Sequence, residues 1–299
     1  MNTDQQEVSM LNSGEGREDT AREPMRRCAD QARSGAAIIV NADDWGRDIA
    51  TTERTLECIQ HGVVSSVSAM VFMEDSERAA ALARLHGVDA GLHLNLTLAY
   101  SAANCPMQLR EHQGKLARYL KSSQLAAAVY HPGLAASFEY VVRAQFEEYE
   151  RLFGRPPGRA DGHHHKHLAA NVTRQKLLPE GILVRRNLSF GPGEKGYLNR
   201  LYRRSQDARL ARRHQLTDFF FDLLPIEPRH RLPRILKLAD RFDIEIETHP
   251  VRDEEYRFLV GGGLSHLDNN VAVSRGYLLR FGSSGCDFGN AKLARQALR

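Results

Sequence analysis

The sequence predicts an α/β fold, a distorted (β/α) barrel of TIM-like type in a single domain. Three observations predict it. Short β-branched runs alternate with helical stretches along the chain. About eight such runs can be counted, the number of strands in a parallel barrel. The polar side chains able to do chemistry fall where those runs end, the face on which barrels build their sites. A doubly wound open sheet is the alternative, but no Gly-rich phosphate fingerprint follows any strand, which counts against its nucleotide-binding forms.

Residues 1–35 hold few large apolar side chains among many Gly, Ser, Asp, Glu and Arg, and are expected to be a disordered N-terminal extension. The first strand, Ala36 to Asn41, runs into Asp43-Asp44-Trp45-Gly46 and a helix through Thr52 to His61. A second run, Val63 to Phe72, precedes the alanine-rich helix Ser76 to His86, and a third, Ala90 to Leu96, alternates with a period near two. Residues 98–133 form a polar, turn-rich insertion longer than ordinary connections, read as a lid or substrate loop. Phe138, Val141, Val142, Phe146, Tyr149 and Phe153 recur at helical spacing over Ala135 to Phe153, and Gly154 with Pro156-Pro157 stops that helix. The remaining strands are Arg159 to His163, Ile182 to Arg186, Phe219 to Leu223, Ile244 to Thr248 and Tyr277 to Phe281. The barrel thus spans 36–282, with a C-terminal tail over 283–299.

Composition narrows the function. With 299 residues, 42% hydrophobic and 26% charged, the chain can bury a large core. No apolar run approaches the roughly 18 residues of a membrane-spanning helix. The N-terminus lacks the apolar core of a signal peptide, so a cytoplasmic location is expected. Four cysteines without a CxxC pair are expected to be reduced thiols. A net charge of +4 is too small to suggest a nucleic-acid partner. A homodimer is compatible with the sequence, which does not fix the oligomeric state. The outlier is thirteen histidines, four of them in Asp161-Gly-His-His-His-Lys-His167.

Asp43 and Asp44 close the first strand, His93 lies on the third, Asp161 and His163 begin the histidine run, and His249 closes the strand before Pro250. One carboxylate with two imidazoles is a common ligand set for a catalytic divalent ion, and Asp44, His93 and His163 fit it. The adjacent Asp43 is then free to accept a proton from an attacking water. Each element alone has a plainer reading: an aspartate pair can cap a helix, and a strand histidine can sit satisfied in a core. Their convergence on strand ends favours a metal site. Nine basic against two acidic residues over 185–213 read either as a solvated helix face or as a contact for an acidic partner or membrane surface.

Asn41-Ala-Asp-Asp-Trp-Gly46, Gly91-Leu-His-Leu-Asn-Leu-Thr97, Asp161-Gly-His-His-His-Lys-His167 and Thr248-His-Pro250 occur in an order that resembles the YdjC-like carbohydrate deacetylases, including the chitooligosaccharide deacetylases of ChbG type. The chain is more distantly similar to NodB-type polysaccharide deacetylases. The resemblance implies a barrel-like fold, a divalent metal (Mg2+ or Zn2+) and removal of an N-acetyl group from an amino sugar. It implies Asp44, His93 and His163 as metal ligands, Asp43 as general base, and His249 as a group that protonates the departing amine. Asp161, His165, His167, Trp45 and Arg185 are expected around the ligands or at the substrate, with Trp45 either stacking on a sugar ring or packing against the barrel. A non-catalytic sugar- or metal-binding homologue, or a hydrolase of another bond such as a phosphoester, are the competing readings.

Overall fold

The computed structural model describes residues 38–123, 125–190, 194–228, 230–267 and 277. The chain divides into two units, Met1–Ala36 and Ala37–Arg299, and every described residue belongs to the second. The expected extension 1–35 and tail 283–299 lie outside the described residues.

The α/β expectation is met by seven parallel strands: β1 (Ile38–Trp45), β2 (Ser66–Ala69), β3 (Ala90–Leu94), β4 (Arg159–Gly162), β5 (Leu183–Val184), β6 (Phe219–Asp222) and β7 (Ile244–Thr248). They lie in the order β5-β4-β3-β2-β1-β7-β6. The sheet curls in the TIM-like manner. Arg159 on β4 donates to Asn41 Oδ1 on β1 at 3.0 Å although two strands intervene, a contact only a strongly curved sheet permits. The two edges meet where Leu183 bridges Gln215, just before β6. An eighth strand over Tyr277 to Phe281 is not borne out at Tyr277, which is buried and helical, and the rest of that run lies outside the described residues.

The two faces of the sheet differ in kind. Outward-facing Val40, Ala42, Val67, Leu92, Leu94, Ala160 and Ile246 pack with the surrounding helices in one large apolar cluster. Those helices are α1 (Ile49–Gln60), α2 (Ser76–His86), α3 (Met107–Ser122), α4 (Ala135–Phe153), α5 (Ala170–Arg174), α6 (Tyr197–Leu210), α7 (Arg231–Leu238), α8 (Asp253–Val260) and α9 (Gly263–Leu267). α4 buries Phe138, Val141, Val142, Phe146 and Tyr149 as its periodicity requires, and Gly154 ends it at φ 72. The inward face is polar: Asn41, Asp43, Ser66, Ser68, His93, Arg159, Asp161, Glu245 and Glu247 are all buried. Gly91 leaves that face room, since a Cβ there would come within 2.7 Å of the Arg159 guanidinium.

The insertion is better ordered than its composition suggests. α3 lies inside it and buries Leu109, Gln113, Leu116 and Leu120, a stripe masked in the sequence by the polar Gln113, whose amide donates to the Leu98 carbonyl at 2.7 Å. Among the described residues no helix is long and apolar enough to cross a membrane.

Candidate active site

Successive residues of a strand point to opposite faces, so Asp43 and Asp44 should not share a site. The end of β1 breaks the alternation. Asp44 takes a left-handed φ of 65, and the pairing of β1 with β2 shifts register between Ala42 and Trp45. Both carboxylates therefore meet the same imidazole: Asp43 Oδ2 lies 3.8 Å from His93 Nδ1 and Asp44 Oδ1 lies 3.3 Å from His93 Nε2. Trp45 then points outward, fully buried, its indole N–H donating to the Ala79 carbonyl at 3.1 Å. Of the two readings of Trp45, packing is correct and stacking on a sugar is excluded, because the ring has no exposed surface.

The ligand candidates come together. One donor atom each from Asp44, His93 and His163 lies within 4.8 Å of the others. Register places Asp161 on β4 beside His93 on β3, and Asp161 Oδ1 holds His93 Nδ1 at 2.7 Å. That bond fixes the ring. With its Nδ1–H given to Asp161, His93 turns the lone pair of Nε2 toward the Asp44 carboxylate, and Nε2 is buried with no hydrogen-bond partner among the described residues. Nε2 and the Asp44 carboxylate face each other in a buried space where either a proton or a metal cation can stand between them, so the donor set fits a divalent ion. His163 Nδ1 sits 2.9 Å from Asp44 Oδ1, and Arg47 pairs with the other oxygen, Oδ2, at 2.8 Å. Burial works against the Asp44 charge, yet the His163 hydrogen bond and the nearby His93 imidazole hold its carboxyl well below the usual range. Burial likewise opposes a charge on His93, and Asp43 and Asp161 outweigh it, raising that imidazole well above its ordinary value.

The four clustered histidines do different things. His164 and His165 both adopt left-handed backbone, φ 54 and 56, and this turn spreads the side chains apart. His163 reaches Asp44. His164 Nδ1 lies 3.4 Å from Thr97 Oγ1. His165 packs edge-on to Phe220 and faces Glu247, and burial lowers it to about 3. His167 Nε2 meets the Arg185 carbonyl at 2.9 Å, and burial lowers it to about 4.

Arg185 organises the interior. It is almost fully buried, grips both oxygens of Asp43 at 2.7 Å, donates through Nε to Glu245 at 2.6 Å and lies 3.1 Å from Asp161 Oδ2. Burial would raise the Asp43 carboxyl, but the guanidinium prevails and lowers it. A carboxylate offers about four lone-pair positions. Arg185 takes two of them and the Asn41 amide, at 2.8 Å from Oδ1, a third, so a position on Oδ2 stays open for a proton.

His249 lies beside this centre, between two glutamates the sequence did not single out. Its Nε2 is 3.5 Å from Glu247 Oε1, its Nδ1 is 3.8 Å from Glu255 Oε1, and its backbone N–H donates to Glu255 Oε2 at 2.6 Å. Burial lowers the imidazole below its ordinary value. Burial also raises Glu247 well above the usual carboxylate range, and the neighbouring Asp43 charge adds to it. A signal for Glu247 was present: in Ile244-Glu-Ile-Glu-Thr248 the acids alternate with isoleucines, which puts Glu245 and Glu247 on one buried face. Arg47 and Glu255 carry no comparable pattern.

Fold and site together define a curled parallel α/β protein whose strand ends carry a carboxylate–bis-imidazole set able to hold a divalent metal. The chain belongs to the YdjC-like family, whose profile, described as YdjC-like protein, matches residues 37–268. It is 36% identical over 140 residues to a chitooligosaccharide deacetylase of Serratia marcescens, covering 45% of this chain and 52% of that one. It is 31% identical over 179 residues to the chitooligosaccharide deacetylase of an Enterobacter species, covering 55% and 69%. The chain spans about half the length of the first of these relatives. A crystal structure of an Enterococcus faecalis V583 protein, named for cellobiose-phosphate cleavage, superposes with a TM-score of 0.55 at 20% identity, covering 82% of this chain and 98% of that one; this likeness concerns the fold.

Proposed function

We propose that the chain is a metal-dependent carbohydrate N-deacetylase, which releases acetate from an N-acetylated amino sugar in an oligosaccharide, glycan precursor or glycoconjugate. The observation that carries the reading is the buried, partnerless His93 Nε2 facing Asp44 and His163, one residue from a carboxylate clamped by Arg185. The relatives' activity on chitooligosaccharides supports the substrate class. Asp44, His93 and His163 would hold Mg2+ or Zn2+, which when bound polarises an acetyl carbonyl and acidifies water. Asp43 accepts the water's proton at Oδ2 while Arg185 and Asn41 keep the carboxylate in place. Its lowered basicity suits it to a water made acidic rather than to one in bulk. His249, fixed through its backbone N–H to Glu255, relays to the departing amine the proton that Asp43 has taken from water, since burial lowers the resting imidazole and donor atoms of Asp43 and His249 lie within 4.8 Å of each other. A clamped carboxylate with an open lone-pair position favours this reading over a sugar-binding homologue, which would need Asp43 only as the partner of Arg185.

The test is acetate release from N-acetylchitooligosaccharides by the purified chain, after chelation and after return of Mg2+ or Zn2+. Asp44→Asn is expected to lose bound metal and activity together, whereas Asp43→Asn keeps the metal and loses about 10²- to 10⁴-fold in kcat. Full activity after chelation would discard the metal; no acetate from any N-acetylated sugar by metal-loaded protein would discard the reaction.

A further inference from the structure

Ten large apolar side chains are exposed among the described residues, and four of them, Tyr197, Leu198, Leu201 and Tyr202, fall within six consecutive positions at the start of α6. Scattered exposed apolar residues need no explanation, but a concentrated set does. At 100° per residue these four lie on one face, with Ser205 and Ala208 continuing it. The helix cannot roll that face inward. Its opposite side is anchored by Asp207, buried, which accepts from the Asn187 side chain at 2.8 Å and pairs with Arg186 at 2.9 Å, and by buried Leu210. Arg203 is held on the same side over the Phe190 ring. α6 thus turns a mixed polar and apolar side toward the protein and leaves its two tyrosines and two leucines, interleaved with arginines, toward solvent.

Cations frame the apolar face. Arg204, Arg209 and Arg212 are exposed and make no ion pair among the described residues. We propose that this face of α6 is a docking surface for an anionic lipid bilayer, with Leu198 and Leu201 entering the acyl boundary, Tyr197 and Tyr202 at headgroup level and the arginines on lipid phosphates. The charge pattern selects this occupant over a second copy of the chain. A two-fold dimer on this face would bring two arginine-rich surfaces together, and α6 itself carries no exposed acidic side chain to offset them. None of these residues belongs to the site above, so the inference stands whatever reaction that site performs.

The experiment is flotation of the full chain with phosphatidylcholine vesicles and with phosphatidylcholine vesicles containing about three-tenths phosphatidylglycerol. Partition onto the anionic vesicles is expected to exceed that onto neutral ones by at least about tenfold, and to fall steeply between about 50 mM and about 500 mM NaCl. Leu198→Glu/Leu201→Glu and, separately, Arg204→Glu/Arg209→Glu/Arg212→Glu should each lose at least about tenfold, with circular dichroism unchanged. Wild-type protein that partitions equally onto both vesicle types, or not at all, overturns the proposal without reference to any variant. A dimer by light scattering that dissociates in Leu198→Glu/Leu201→Glu, without vesicle binding, overturns it in favour of self-association.

Discussion

The two faces of the same sheet are stabilised by different physics. Outside, Val40, Leu92, Leu94 and Ile246 are held by apolar burial against helices, an interaction without direction that tolerates adjustment. Inside, Asp43, Asp161, Glu245 and Glu247 surround Arg159 and Arg185, with Ser68 and Asn41 filling the remaining hydrogen-bond positions. Such a network is costly to bury and fails when one member is removed. The outer layer makes the fold stable; the inner one holds the groups of the candidate site in a single geometry.

The contrast can be broken at its most sensitive point by Arg185→Met. Removing the cation leaves Asp43, Asp161 and Glu245 mutually repelling in a buried space, and a loss of about 3–5 kcal/mol in urea unfolding is expected, with no recovery of activity on adding metal. Leu92→Ala tests the other face: a cavity under the helices should cost about 2–5 kcal/mol, while kcat, measured well below the unfolding midpoint, stays within about twofold. If Leu92→Ala abolished turnover in folded protein, the separation of roles between the faces would be wrong.

A smaller effect sharpens the contrast at the rim. Burial pushes Glu255 up to about 7 from an ordinary 4.5, so the folded protein keeps a proton that the unfolded chain has already lost. Stability contributed by this group is complete below about pH 4.5 and is lost as pH rises through about 7, by up to about 3 kcal/mol. Glu255→Gln should flatten that fall in thermal melts taken across the range. An unchanged slope would show that Glu255 titrates as an ordinary surface acid.

Much of the site was legible because its residues sit in short motifs at strand ends: Asp43-Asp44 after a β-branched run, His93 in an alternating strand, His163 beginning a cluster with no structural use for so many imidazoles. Glu247 was legible in principle, from its alternation with isoleucine, but acid alternating with apolar residues usually signals a solvated sheet face. Here that face is the barrel interior. The helix α3 was hidden because Gln113 interrupts its apolar stripe and satisfies itself on the Leu98 carbonyl, a partner local composition does not reveal. Trp45 stayed ambiguous, since an aromatic beside a site reads the same whether it stacks or packs.

The sequence by itself determined the order of the seven strands and of the more regular amphipathic helices, and which residue types close each strand, because side-chain periodicity and turn chemistry act over a few residues. Only the tertiary structure decided which face of each strand looks inward, how the histidine run fans out, and that Arg185 grips an aspartate 142 positions earlier. Those outcomes depend on the curl of the whole sheet, which brings β1, β4 and the end of β5 around one centre. They also depend on the left-handed turn at Asp44, by which two neighbours in sequence come to face the same imidazole.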